Sequence, residues 1–148
     1  MRFSEESNFI VADMPGLIKG AHKGIGLGMR FLRHIERTRC FVHMIDASGM
    51  SSRDPLQDFK DINKELKMYD KDHCDEDGYN PLATRKQIVA LNKADVVSEK
   101  TIASLEKKFK KSGADVIVIS AATGKNLKKL IHLMGELVFH DNEEKSFG

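Results

Sequence analysis

Short apolar runs, each closing on a polar motif and each separated from the next by a helical stripe, constrain this chain most. Residues 40–45 (Cys-Phe-Val-His-Met-Ile) are nearly all apolar and end at Asp46, as a strand covered on both faces reads. Residues 8–12, 87–91 and 116–119 are further runs of this kind, ending at Asp13, Asn92 and Ser120. Between them the period changes to that of helices. Asp54 is placed as an N-cap, with Pro55 at the first helical position and Gln57 three residues after the cap. Phe59, Ile62, Leu66 and Tyr69 then recur on one face. Ser98 can cap a second helix, with Val97 and Ile102 as a hydrophobic staple. Its stripe is Ile102, Leu105 and Phe109, lysines 107, 108, 110 and 111 suit its C-terminal end, and Gly113 is the expected stop. A last helix is predicted over 126–139, with Leu127, Leu130, Ile131, Met134 and Leu137 inward, and an early one over 29–38. The alternation predicts an α/β fold: a mostly parallel sheet between two helical layers.

At 148 residues the chain is one domain at most, with enough length for a real core. A formal net charge of +2 gives no argument for nucleic acid, and the lysines around residues 107–111 read as a solvated face. Two cysteines, Cys40 and Cys74, do not make a disulfide framework and suit a reducing compartment. No apolar run approaches the ~20 residues of a membrane span, and residues 1–8 are too polar for a secretory signal. Met1 can be an internal methionine or the start of a truncated chain. Residues 13–28 hold five of the eleven glycines, which predicts a mobile loop. Residues 70–86 form a long acidic connection, of the kind that is either functional or flexible. His73 and Cys74 lack metal-ligand spacing and read as part of that solvated loop. Residues from 141 onward read as a flexible tail.

Open α/β sheets bind ligands outside the carboxyl ends of their strands, so the strand-end motifs predict one site. Asn92-Lys93-Ala94-Asp95 is suited to guanine. That base presents a ring N–H beside an exocyclic amine, and one carboxylate, Asp95, can accept from both. Adenine lacks the donor pair and would leave a buried acceptor unmatched. Asn92 would tie the loop to the base and the neighbouring strand, and Lys93 would lay its aliphatic stem over the purine face. The bland alternative is a loop before a helix, with Asp95 merely favouring the dipole. In Ser120-Ala121-Ala122, small residues let the backbone approach the base, and the Ala121 N–H can reach the guanine carbonyl. An ordinary strand-to-helix turn would look the same. Asp13-Met14-Pro15-Gly16 would place Asp13 on Mg²⁺ through a water and the Gly16 N–H on a terminal phosphate, although D-x-P-G is also good turn chemistry. Leu17 stands where a glutamine could position water, and leucine cannot, so no catalytic residue is assigned. Gly24-x-Gly26-x-Gly28 has the wrong spacing for a dinucleotide fingerprint.

The run Asp13-Met14-Pro15-Gly16-Leu17-Ile18-Lys19-Gly20, continued through residue 28, closely resembles the Obg (CgtA-type) family of GTPases. So do Phe31-Leu32-Arg33-His34-Ile35-Glu36-Arg37-Thr38-Arg39, His43-Met44-Ile45-Asp46, Asp54-Pro55, Ile62-Asn63-Lys64-Glu65-Leu66 and Gln87-Ile88-Val89-Ala90-Leu91-Asn92-Lys93. The related developmentally regulated GTPases match less well through residues 33–39, and Obg-like ATPases differ at the position of Asp95. The resemblance implies a Ras-like P-loop NTPase fold and a slow GTPase using Mg²⁺ and GTP or GDP. It also implies the large ribosomal subunit or its rRNA as partner, and a cytoplasmic location, or a mitochondrial or nucleolar one in a eukaryote. The expected organisation is a partial G domain over 1–140, then the tail 141–148.

The phosphate loop, G-x-x-x-x-G-K-[ST], does not occur in this sequence, and neither does the family's switch threonine. In a Ras-like sheet the phosphate-loop strand would lie between the strands at 8–12 and 40–45. Losing it leaves buried backbone groups unpaired at ~1–3 kcal/mol each, against a total stability of ~5–15 kcal/mol. The chain alone is therefore expected to be unstable, rearranged or completed by another segment. The alternative to a GTP hydrolase is a binding module without hydrolysis.

Overall fold

The computed structural model describes residues 9–11, 33, 35–49 and 54–146. Among the described residues three strands, β1 (Cys40–Asp46), β2 (Lys86–Asn92) and β3 (Asp115–Val118), form one parallel sheet in the order β1-β2-β3. Helices α1 (Pro55–His73), α2 (Glu99–Lys111) and α3 (Leu127–Ser146) alternate with them. A single turn of 3₁₀ helix, Ala94–Val96, follows β2. The alternation of apolar runs and helical stripes has produced the expected α/β architecture, with the described strands paired in parallel.

The described residues fall into two compact units. One holds residues 9–11, 39–49, 54–55 and 86–146, and thus the whole sheet. Ile88 and Ala90 of β2, Ile117 of β3 and the following Ile119 meet Leu130 and Met134 of α3 in its core. Side chains alternate along a strand, so Val89 and Leu91, both fully buried, point to the opposite face. There α2 packs against β3 and β2 with Ile102 and Phe109 buried. Ser98 caps α2 as expected, its Oγ accepting from the Thr101 N–H at 3.3 Å. Gly113, at φ +87, ends the turn after that helix, a conformation other residues adopt at a cost.

The second unit holds Arg33, residues 35–38 and residues 56–85. Leu66 and Tyr69 of the predicted stripe are its most buried members. The Tyr69 hydroxyl donates to the Glu36 carboxylate, and the Arg85 guanidinium donates to the carbonyls of Ile35, Thr38 and Asn80.

Several expectations need correction. Residues 9–11 are irregular rather than a strand, because no described strand pairs with them. Phe9 is nevertheless buried in the α3 core, edge-on to Phe139. The helix expected to reach residue 38 gives way to a turn at Glu36, closed by the Thr38 N–H on the Ile35 carbonyl at 2.9 Å. The rest of the 29–38 prediction and the glycine-rich segment 13–28 lie outside the described residues. β1 is not covered on both faces: Met44 is 58% exposed. Gln57 reaches forward to Asp61 rather than back to the cap. α1 runs three residues past Asp70, so His73 is a buried helical residue stacked on Tyr69, not part of a solvated loop. α3 continues beyond Phe139 to Ser146, since Asn142-Glu143-Glu144-Lys145 contain no helix breaker.

Candidate functional site

Parallel pairing brings the strand ends to one edge. Asp46 of β1 lies opposite Asn92 of β2, and Leu91 lies opposite Val118 of β3. Beyond them the chain holds two polar loops, one starting at Lys93 and the other at Ser120.

These loops are tied to each other by the residues that the sequence singles out. Asn92 Oδ1 accepts the Ala121 N–H at 3.0 Å. The Ser120 hydroxyl, on a fully buried residue, donates to Asp95 Oδ1 at 2.8 Å and accepts the Thr123 N–H at 3.2 Å. The Ala94 N–H donates to the Ile119 carbonyl at 3.2 Å. Asn92, Ala94, Asp95, Ser120 and Ala121 therefore form one hydrogen-bonded unit. Asp95 itself is exposed, so its carboxylate is both oriented and accessible. A carboxylate has room for further bonds after accepting one from Ser120. Ala122 follows on the exposed loop surface. The Ala121 N–H, expected to face a base carbonyl, is given instead to Asn92. Asp13, Met14, Pro15 and Gly16 lie outside the described residues.

The second loop is built to hold its shape. The Ser120 N–H donates to the Lys125 carbonyl at 3.2 Å, and the Gly124 N–H to the Ser120 carbonyl at 2.9 Å. Gly124 sits at φ +82, and Asn126, at φ 59, donates from Nδ2 to the Val118 carbonyl at 2.7 Å. Lys93 is also left-handed, at φ 66 and ψ 31, which costs a non-glycine residue ~1–2 kcal/mol. Such strain persists where the surroundings over-determine it. Here the Lys93 carbonyl accepts the Val96 N–H at 3.1 Å, and its ammonium meets Asp46 Oδ2 at 2.8 Å.

Asp46 meets the motif residue Lys93 although the sequence reading gave it no role. Its signals in the sequence are that it, too, closes an apolar run and that it ends the run His43-Met44-Ile45-Asp46. Hydrogen bonds from Lys93 and Ser48 hold its carboxyl well below the usual range, at about 2. Among the described residues no group of three or more His, Cys, Asp or Glu side chains is placed to hold a metal ion. No described helix is long and apolar enough to cross a membrane.

The sequence pattern of the 50S ribosome-binding GTPase family matches residues 1–93. The chain is 52% identical to the GTPase Obg of Bdellovibrio bacteriovorus over 145 residues, 97% of this chain and 42% of that protein. It is 44% identical to the GTPase Obg of Desulforamulus reducens over 136 residues, covering 90% and 30%. With the GTPase Obg of Roseiflexus castenholzii it shares 47% over 132 residues, covering 88% and 28%. The chain thus spans less than half the length of these relatives. The match to the family pattern, the parallel α/β sheet and the similarity to proteins called GTPase Obg agree: this chain belongs to the 50S ribosome-binding GTPase family and is of the Obg type that its motifs resemble.

Proposed function

We propose that this chain carries the base-reading part of an Obg-type GTPase, a slow GTP hydrolase acting in assembly of the large ribosomal subunit. The observation that carries the reading is the pair of bonds from Asn92 to Ala121 and from Asp95 to Ser120, which joins two motifs 25 or more residues apart into one preformed surface. Asp95 would accept both donors of guanine, Lys93 would cover one face of the base, and Asn92 would hold the 120–122 loop beside it. With the Ala121 N–H engaged by Asn92, that N–H reaches the guanine carbonyl by sharing its hydrogen. Gly16 would meet the terminal phosphate. Asp13, a hard oxygen donor of the kind Mg²⁺ takes, would hold the ion through water. Bound Mg²⁺ would neutralise charge developing on the phosphates. With leucine at position 17, no side chain is assigned to orient water, in keeping with slow turnover. The large subunit or its rRNA as partner is supported by the name of the matched family, and a cytoplasmic location by a sequence whose two cysteines make no disulfide framework.

A second reading is a binding module without hydrolysis, making a nucleotide-free ribosome or protein contact. It is favoured by one observation, that the phosphate-loop consensus is not in these 148 residues.

Titration with GDP, GTP and ATP in Mg²⁺ tests the site. Guanine nucleotides are expected to bind in preference to ATP. Asp95→Asn should weaken guanine binding about 10²-fold, the worth of two charge-assisted bonds. It should also improve binding of xanthine nucleotides, whose second carbonyl can accept from the new amide. Equal binding of ATP, or an Asp95→Asn variant with unchanged selectivity, would overturn the reading.

A further inference from the structure

Asp46 closes the run His43-Met44-Ile45-Asp46 without an assigned role, yet it fixes the end of a side chain that has one. It closes β1 directly opposite Asn92, so strand pairing sets its distance from the Lys93 backbone. Its Oδ2 meets the Lys93 ammonium at 2.8 Å. Its Oδ1 accepts the Ser48 N–H at 2.8 Å and the Ser48 hydroxyl at 2.5 Å, a local turn of the kind short acidic side chains favour. The carboxylate cannot swing away without giving up all of these bonds. Both partners are partly solvated, with side-chain exposures of 46% for Lys93 and 28% for Asp46. Solvated pairs of this kind add little to fold stability. The arrangement therefore acts on where the lysine stem lies more than on whether the chain folds.

We propose that Asp46 is a positioning residue of the nucleotide site, anchoring the Lys93 ammonium at the end of β1 so that the lysine stem lies flat across the face of a guanine held by Asp95. The inference rests on the guanine reading of residues 92–95. A lysine tethered only at its backbone must give up rotamer freedom when a base arrives, and an anchored one has already done so. The anchor stays ionised through the ordinary pH range, because Lys93 and Ser48 hold the Asp46 carboxyl at about 2.

The test is a double-mutant cycle on release of a fluorescent GDP, using Asp46→Ala, Lys93→Met and the pair. Asp46→Ala is expected to speed release about tenfold, with guanine selectivity and melting temperature unchanged, and the double variant should release no faster than Lys93→Met. Asp46→Asn, which keeps an acceptor, should recover part of the loss. Effects of the two single changes that multiply in the double variant would overturn the proposal. Asp95→Asn separates the two failures. If it leaves selectivity intact, the guanine reading fails. If it removes selectivity while Asp46→Ala leaves release unchanged, only the role of Asp46 fails. Where release is too fast to follow, amide hydrogen exchange of Ala94 and Val96 decides. Asp46→Ala should speed it at least about threefold and a control Lys100→Ala should not, since the anchor also holds the left-handed turn at Lys93. Unchanged exchange would overturn the proposal.

Discussion

Burial holds the His43 imidazole below its ordinary value of 6.5, opposed in part by its hydrogen bond to Gln87 at 2.8 Å. The folded protein therefore resists protonation more than the unfolded chain does. His43 contributes stability that is fully present above about pH 6.5 and is lost as pH falls through the lowered folded value. Urea midpoints are expected to be lower at about pH 5.5 than at about pH 7.5, and His43→Gln should narrow the difference. An equal difference in the variant would assign the effect elsewhere. Ser98 gives a second prediction: Ser98→Ala removes the cap on α2 and should cost about 1 kcal/mol by urea denaturation. This cap was legible from sequence because a capping residue acts on its own helix. Asp95 was legible too, as a residue type at a fixed offset from Asn92. Its bond to Ser120 was not, since the two are 25 residues apart and meet only once β2 and β3 are paired.

The connection after α1 shows how an element can mislead. The acidic residues between Asp70 and Asp77 look alike in sequence, and together they read as a solvated loop. One of them is turned to a structural task. Asp70, inside α1, accepts from the Tyr79 hydroxyl at 2.6 Å and from the N–H groups of Leu82 and Ala83 at 2.7 and 2.9 Å. Those bonds hold the returning chain where Leu82 is fully buried; burial, and after it the bond to Asp70, pushes the Tyr79 hydroxyl pKa upward. Asp70→Ala should cost about 2–4 kcal/mol, since hydrogen bonds to an ionised acceptor are among the stronger ones. Asp70→Asn should cost less, because an amide oxygen still accepts. Comparable urea midpoints for wild type and Asp70→Ala would return the segment to the status of an idle loop. Nothing in the spacing of the acidic residues singles out Asp70, because its partners lie 9 to 13 residues away on the returning chain.

The whole molecule raises the question of what completes it. The sheet has three described strands with β1 at one end of the order, and the Ras-like resemblance puts a phosphate-loop strand next to that end. A longer chain that includes the phosphate loop is expected to melt at a higher temperature and more sharply than the 148-residue chain. Equal melting temperatures for the two would refute this. Local pattern was enough to specify β1 to β3, the helices between and after them and their alternation, because periodicity and caps act over a few residues; it misread residues 9–11 as a strand. It was also enough to specify the family, whose motifs are short and lie in order along the chain. Strand pairing brought Asp46 to Lys93 and Ser120 to Asp95, and folding back of the chain turned Asp70 inward. These contacts depend on register and long-range packing, which no local window of sequence contains.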